Sequence, residues 1–222
     1  MRLSHSGYPN VWLTSDLHIG HVAMVPHPHK ECHAEGCSDC QDGVKPGWRP
    51  FETLEEMHDV IRDNWNATVG DEDLVIVGGD VVMGKRQDNL PFLGTLKGRK
   101  VLILGNHDYP HPHHKQSMVD KWWPLYRMYF EMMTAEAWID VDRGDPVNLS
   151  HFPFEGDHTE EVRYLEYRPA DWGQRLLHGH LHSRTPLSPT RPHQYDMGVD
   201  ANGYCPVHLE EALAALRNQV FS

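Results

Sequence analysis

Short runs of apolar residues recur along the chain, and each is followed at once by glycine or by polar residues. The runs at 74–77 and 101–104 contain four aliphatic residues in a row, which is typical of strands buried on both faces. The segments 138–142 and 147–150 flank Arg143-Gly144-Asp145-Pro146 and predict a β-hairpin. Further strands are predicted at 11–15, 175–178 and 196–199. Together these runs predict an α/β protein.

Between the runs, the apolar positions change to helical spacing. Thr53 and Glu56 form a capping-box pattern at the start of one such segment. Its apolar stripe is predicted to pack against the core and consists of Leu54, Met57, Ile61 and Trp65. Further helices are predicted over 87–96, through Trp122, Leu125, Met128 and Met132, and from about 207 to 218.

The composition fits one large domain over residues 1–222. Of the 222 residues, 39% are hydrophobic, enough for a substantial core. The apolar runs are far shorter than the roughly 20 residues that cross a bilayer, and the start of the chain lacks the apolar segment of a signal peptide. We therefore expect a cytoplasmic protein without a membrane partner. Its oligomeric state stays open.

The net charge and the histidine content limit the classes of ligand that the protein is expected to bind. A formal charge of −12 argues against stable non-specific binding of nucleic acid, which requires a basic surface. It leaves room for a short or cyclic nucleotide held by metal ions. The chain contains 18 histidines, which is an unusually high number. Histidine is the commonest metal ligand and also a proton shuttle, so some of these residues are candidates for such roles.

Eight polar residues stand where predicted strands end, and the ends of strands are where α/β proteins bind ligands. They are Asp16, His18, Asp80, Asn106, His107, His151, His180 and His182. This set of oxygen and nitrogen donors without thiolate suits Mn, Fe, Zn or Ni. It exceeds what one ion needs, whereas two ions that share one carboxylate would use nearly all of it.

Two further histidine-rich segments are interpreted with alternatives. Residues 24–50 lack periodicity and are predicted to be an insertion or lid. Within them a structural zinc site built from Cys32, His33, Cys37 and Cys40 competes with free thiols in a loop. The stretch His111-Pro112-His113-His114 is predicted to be a solvated loop, because it holds a proline and no carboxylate.

In order along the chain, the motifs resemble those of the calcineurin-like metallophosphoesterases. They are Asp16-x-His18, Gly79-Asp80, Gly105-Asn106-His107-Asp108, the single His151 and Gly179-His180-x-His182. The flanks, such as Trp65-Asn66, resemble the compact phage and bacterial members. The resemblance implies a two-sheet sandwich flanked by helices in four layers, with the site at one edge, and the host cytoplasm as location for a phage-encoded chain.

The resemblance also implies a role for each residue. Asp16, His18 and His182 would bind one metal, Asn106, His151 and His180 the second, and Asp80 both. Manganese is the first expectation, with iron, zinc or nickel as alternatives. A hydroxide that bridges the metals would attack phosphorus, with His107 as general acid and Asp108 setting its orientation and basicity.

Departures from related subfamilies bear on the substrate. Protein phosphatases of this superfamily carry Gly-Asp-x-x-Asp-Arg-Gly and Arg-Gly-Asn-His-Glu, and both arginines are missing here. Without these arginines, the binding of a dianionic monoester is weakened more than the binding of a monoanionic diester. We therefore expect a phosphodiesterase for small diesters, including 2′,3′- or 3′,5′-cyclic nucleotides. The alternatives are a phosphomonoesterase, a nuclease and a non-catalytic scaffold.

Overall fold

The computed structural model describes residues 1–28, 44–141, 144–191 and 193–219. The strands are β1 (Arg2–Leu3), β2 (Val11–Thr14), β3 (His27–Pro28), β4 (Val44–Lys45), β5 (Leu74–Val77), β6 (Arg99–Ile103), β7 (Met132–Thr134), β8 (Glu136–Ile139), β9 (Val147–Ser150), β10 (Leu176–His178), β11 (Gln194–Asp196) and β12 (Val207–His208). The α-helices are α1 (Leu54–Thr68), α2 (Arg86–Asn89), α3 (Gln116–Tyr126) and α4 (Leu209–Gln219). Short 3₁₀ helices lie at Val22–Met24, Leu90–Thr95 and Leu165–Tyr167. Among these helices, none has the length and apolar character needed to cross a membrane.

Most strands belong to two five-stranded sheets. The first has the order β12-β2-β5-β6-β7, in which only β12 runs antiparallel to its neighbour. The second has the order β1-β8-β9-β10-β11, in which β8 and β9 form the predicted antiparallel hairpin and the other pairs are parallel. The predicted α/β sandwich of two sheets with helices is confirmed.

The first sheet is buried on both faces, and alternate residues of each strand enter different hydrophobic clusters. Val75 and Val77 of β5 pack with residues of α1 and α3. Leu74 and Ile76 of the same strand pack with the second sheet and α4. Successive side chains of a strand point to opposite faces, so an unbroken aliphatic run is what a strand between two cores requires.

Helix α1 begins where the capping pattern predicts. The backbone N–H of Glu56 donates to Oγ1 of Thr53 at 3.1 Å. The predicted apolar stripe supplies the buried face, with Met57, Ile61 and Trp65 all inside the core. Local capping and side-chain spacing therefore suffice to place this helix.

The helix predicted through Met132 is wrong in its second half. Helix α3 ends at Tyr126, and Met132 instead begins β7, where it pairs with Val101 of β6. Backbone pairing at the edge of the sheet overrides the helical spacing of the apolar residues. The predicted helix over 87–96 is α2 continued by 3₁₀ turns, and the last predicted strand begins two residues earlier, at Gln194.

The segment at 24–50 is described only at its ends. Strands β3 and β4 pair antiparallel, and the N–H of Arg49 donates to the carbonyl of Met24 at 2.9 Å. Cys32, His33, Cys37 and Cys40 lie outside the described residues. The zinc site therefore stays a prediction.

Replacing Trp65 with alanine should strongly destabilise the fold. Trp65 is 1% exposed in the cluster between α1 and the first sheet, and its indole N–H donates to the carbonyl of Lys97 at 2.9 Å. We expect Trp65→Ala to lower the free energy of unfolding by about 3–5 kcal/mol. Trp123 of α3 is 39% exposed, so Trp123→Ala should cost less than about 1 kcal/mol. Urea denaturation of both variants measures this, and equal losses would contradict the assigned core.

Candidate metal centre

Strands of both sheets deliver the predicted ligands to one edge of the sandwich. Because β2, β5 and β6 are parallel neighbours, the loops after them carry Asp16, Asp80 and Asn106 to the same edge. The second sheet contributes His151 directly after β9 and His180 two residues after β10. The site lies where the carboxyl ends of these strands from the two sheets come together.

Three groups of described side chains hold their ligand atoms within 4.8 Å of one another, close enough to share a cation. The first is Asp16, His18 and His182, the second is Asp16, Asp80 and His151, and the third is Asp157, His158 and His180. Oδ2 of Asp80 lies 3.8 Å from Nε2 of His18 and 3.5 Å from Nε2 of His151. The carboxylate of Asp80 therefore belongs to the second group and also lies close to His18 of the first.

Asn106 and His180 adjoin the second group. Nε2 of His151 lies 3.0 Å from Oδ1 of Asn106 and 3.2 Å from Nδ1 of His180. The other ring nitrogen of His151, Nδ1, donates to the carbonyl of Gly78 at 2.7 Å. This hydrogen bond fixes the ring so that Nε2 faces the neighbouring ligands.

The polar atoms left without partners fit a metal ion. Asp16 and His18 are 1% and 2% exposed, yet Oδ1 of Asp16 and both ring nitrogens of His18 have no hydrogen-bond partner among the described residues. Buried polar atoms without partners are costly and rare. Carboxylate, amide and imidazole donors without thiolate match borderline divalent cations, so the residues present suit such ions.

The backbone at the site is strained. Positive φ angles, between 51° and 71°, occur at Asp16, His18, Asp80, His180 and His182. Residues other than glycine seldom adopt this left-handed conformation, and such strain gathers at functional sites. The strain therefore supports the same assignment as the unpartnered atoms.

Two glycines of the motifs make room for the carboxylates. A Cβ at Gly105 would collide with Oδ1 of Asp80, and a Cβ at Gly179 would collide with Oδ2 of Asp16. Neither glycine has a positive φ, so close packing is the reason for glycine at both positions.

His180 is held from behind by Asp157, a residue that sequence reasoning missed. Nε2 of His180 lies 3.2 Å from Oδ2 of Asp157 without the geometry of a hydrogen bond, and the buried carboxylate accepts hydrogen bonds from Arg163 at 2.9 Å and Arg168 at 3.2 Å. Burial would raise the pKa of Asp157, but Arg163 and His180 outweigh it and hold the pKa below its usual range. Burial lowers the pKa of His180 to about 3, so the ring is the neutral form that binds metals. The segment around Asp157 carries no periodicity that would have singled it out.

His182 has a similar support. Its Nδ1 lies 2.8 Å from Oδ2 of Asp200, and Asp200 forms a two-pronged ion pair with Arg49 at 2.9 and 2.8 Å. Arg49 is buried and also donates to the carbonyls of Asp16 and Leu17 at 2.6 and 3.0 Å. Asp200 directly follows a predicted strand, which is a signal that could have identified it.

His107 and Asp108 have different surroundings. The side chain of His107 is 38% exposed, and its Nε2 lies 4.0 Å from Oδ2 of Asp80. The carboxylate of Asp108 is buried and accepts hydrogen bonds from the backbone N–H groups of Asp80, Val81 and Gly105. Asp108 thus joins the loops after β5 and β6. Burial lowers the pKa of His107 to about 4, and the charge of Asp108 opposes this effect; that Asp108 orients the ring stays a prediction. Burial, followed by the charge of Asp80, raises the pKa of Asp108 to about 6.

The prediction of a solvated loop at His111-Pro112-His113-His114 is wrong. His111 is 1% exposed, with its ring against Tyr167 and Phe152. Nε2 of His113 and Nε2 of His114 lie 2.6 and 3.1 Å from the carbonyl oxygen of Asn106. The loop thus folds inward and braces the backbone of Asn106.

A cleft of about 110 Å³ opens above the ligands. Its described lining residues are His18, His21, Met24, Trp48, Asp80, His107, His158, His180 and His182. None of these described residues is a lysine or an arginine. Anything bound in the cleft would meet imidazole, carboxylate and apolar groups.

Replacing Asp157 with asparagine should weaken metal binding. Asparagine keeps the shape of the side chain but removes the charge that holds His180. We expect Asp157→Asn to bind Mn²⁺ about 10–100-fold more weakly, measured by calorimetric titration of chelator-stripped protein. Asp157→Glu, which keeps the charge, should recover part of the affinity.

The exposed Asp120 on α3 provides the control, and Asp120→Asn should bind like the wild type. Thermal unfolding of each stripped variant checks that the fold is intact. Wild-type affinity in folded Asp157→Asn would contradict the supporting role.

The family model described as calcineurin-like phosphoesterase matches residues 9–208. The Gene 66 protein of Mycobacterium phage D29 is 38% identical over 203 residues, covering 86% of this chain and 88% of that protein. The Gene 66 protein of Mycobacterium phage L5 is 36% identical over 206 residues, covering 87% and 88%. The similarity to phage proteins agrees with the predicted phage and bacterial subgroup.

A solved structure has the same fold. The crystal structure of AQ665, a protein of unknown function from Aquifex aeolicus, aligns with a TM-score of 0.60 and 22% identity, covering 93% of this chain and 98% of that one. The family match, which covers residues 9–208, leads to one conclusion. The chain belongs to the calcineurin-like phosphoesterase family, whose members hydrolyse phosphate esters with divalent metal ions.

Proposed function

We propose that the protein is a phosphodiesterase that uses two divalent metal ions to hydrolyse small diesters, including 2′,3′- or 3′,5′-cyclic nucleotides. The observation that carries this proposal is the cleft above the ligands, whose described lining contains no lysine or arginine. A monoester dianion needs additional cationic hydrogen-bond donors, whereas a diester carries one charge. A cleft whose described lining holds no lysine or arginine favours the diester.

The arginine and lysine next to the motifs support the same choice. Arg86 lies beside His107, but its guanidinium donates to the carbonyl of His107 at 3.3 Å and to the hydroxyl of Tyr109 at 3.1 Å. It also stacks over the ring of Tyr109, 4.0 Å from its centroid. Lys85 is exposed and is not among the cleft residues. Neither side chain offers the phosphate grip of the missing arginines.

In this proposal each ligand is assigned to one metal, except Asp80, which is assigned to both. Asp16, His18 and His182 would hold the first metal, and Asn106, His151 and His180 the second, with Asp80 shared between them. When bound, two such cations neutralise phosphate charge and lower the pKa of water. We propose manganese as the first candidate, with iron, zinc or nickel as alternatives.

His107 would act on the leaving group. Its imidazole is partly exposed in the cleft, while its backbone N–H donates to Oδ1 of Asp80 at 2.8 Å. The hydrogen bond holds the residue beside the metal ligands and leaves the ring free to face a substrate. We propose that the ring donates a proton to the leaving-group oxygen.

The choice of ester can be tested with two chromogenic substrates. Chelator-stripped protein reloaded with Mn²⁺ should turn over bis-p-nitrophenyl phosphate with a kcat/KM about 10-fold or more above that for p-nitrophenyl phosphate. The loss of one charge-assisted hydrogen bond to the monoester corresponds to about this factor. Stripped protein provides the baseline. A preference for the monoester would refute the diester proposal, and no metal-dependent turnover of either would indicate a scaffold.

The role of His107 can be separated from metal binding by the choice of leaving group. We expect His107→Ala and His107→Gln to lose about 10²–10⁴-fold in kcat when the leaving group is phenol, with a pKa of about 10, because phenoxide needs a proton. With p-nitrophenol the loss should be much smaller, since p-nitrophenolate leaves unprotonated. Diphenyl and bis-p-nitrophenyl phosphates provide the comparison. Equal losses for both, or loss of bound metal, would contradict the assignment.

A further inference from the structure

Among the described residues that line the cleft, Trp48 offers the largest apolar surface, its indole. Trp48 lines the cleft together with His107 and Asp80, and it is 54% exposed. An exposed tryptophan leaves a large flat apolar surface in water, which is unfavourable unless a partner covers it. Its position above the metal ligands indicates that this partner is the substrate.

The backbone that carries Trp48 is anchored. Its N–H donates to the carbonyl of Ala23 at 3.2 Å, and Nη2 of Arg184 donates to its carbonyl at 3.3 Å. The next residue, Arg49, is locked by its ion pair with Asp200. The backbone of Trp48 is therefore anchored beside the loop that holds His182, which limits the positions that the indole can take and so the entropy lost when a ligand binds.

The ring also has defined neighbours. Its centroid lies 6.2 Å from that of His158 at an interplanar angle of 85°, and 6.3 Å from that of His182 at 56°. Both histidines are tilted against the indole, and neither stacks on it. The indole therefore keeps a face available, as its 54% exposure also indicates.

Cleft size decides which part of a substrate meets this face. At about 110 Å³, the cleft is smaller than the roughly 300–1,000 Å³ of pockets that enclose whole ligands. The phosphoryl group can enter, but a nucleoside or second aryl group must remain at the opening. Trp48 is the wall against which such a group would lie.

We infer that Trp48 is a stacking platform for a planar aromatic substituent of the diester, such as a nucleobase. The inference rests on the proposed function and adds a substrate class to it: diesters with an aromatic or heteroaromatic group rather than dialkyl chains. Stacking on an aromatic side chain accepts any base, so Trp48 selects for aromaticity without selecting one base. Trp48 is thus a specificity-determining residue.

Two substrates with the same leaving group test this. Phenyl p-nitrophenyl phosphate and ethyl p-nitrophenyl phosphate release the same p-nitrophenolate and differ only in the group that remains. The wild type should prefer the phenyl ester, and Trp48→Leu, which keeps apolar bulk but has no π face, should reduce that preference about 10-fold. Trp48→Phe should retain most of it.

Trp172 supplies the matched control. It is 83% exposed and lines a separate groove with Trp138, so Trp172→Leu should leave the preference unchanged. An unchanged phenyl-to-ethyl ratio in Trp48→Leu would overturn the inference.

A binding measurement separates this inference from the proposed function. Benzyl(methyl)phosphinate and methyl(propyl)phosphinate carry the single charge of a diester, and their two P–C bonds cannot be hydrolysed, so both can be titrated into Mn²⁺-loaded protein by calorimetry. We expect the wild type to bind the benzyl compound more tightly, and Trp48→Leu to bind both alike. If no diester is turned over but this difference is found, the proposed function fails and the platform stands. Equal binding of both compounds by the wild type would overturn the platform.

Discussion

The structure depends on keeping two carboxylates, Asp16 and Asp80, buried within a few ångströms of each other. Burial, and then the charge of Asp16, raises the pKa of Asp80. For Asp16, burial acts in the same direction, but His18, His151 and His182 outweigh it and lower the pKa. Such a pair is stable only with cationic partners or with a proton on one of the two carboxylates. The histidines supply part of that compensation, and two divalent ions would supply the rest.

This constraint explains where the strain and the charges lie. The ligands adopt left-handed backbone conformations, and Gly105 and Gly179 leave room for carboxylate oxygens. The arginines support the histidines from behind: Arg49 holds Asp200 behind His182, and Arg163 holds Asp157 behind His180. Arginine side chains are thus used to position ligands, while the described lining of the cleft contains neither arginine nor lysine. The proposal of a diester substrate rests on the same division of charge.

Local patterns predict much of the fold because local physics determines it. The aliphatic runs of β5 and β6 have to fill two cores, and the Thr53 cap with its apolar stripe has to start a buried helix. Where a long-range contact competes with a local preference, prediction fails. Met132 has helical spacing from Trp122, but pairing with Val101 makes it a strand residue.

For the site, the sequence by itself determined which residues stand at strand ends, because each follows its strand within a few positions. Only the tertiary structure decided what surrounds them. In the folded protein His111 is buried, and Asp108 joins two loops. Asp157 lies behind His180, and Trp48 lies beside the cleft. Arg49 and Asp200 are 151 positions apart. No local pattern encodes such contacts, because the packing of the two sheets against each other creates them.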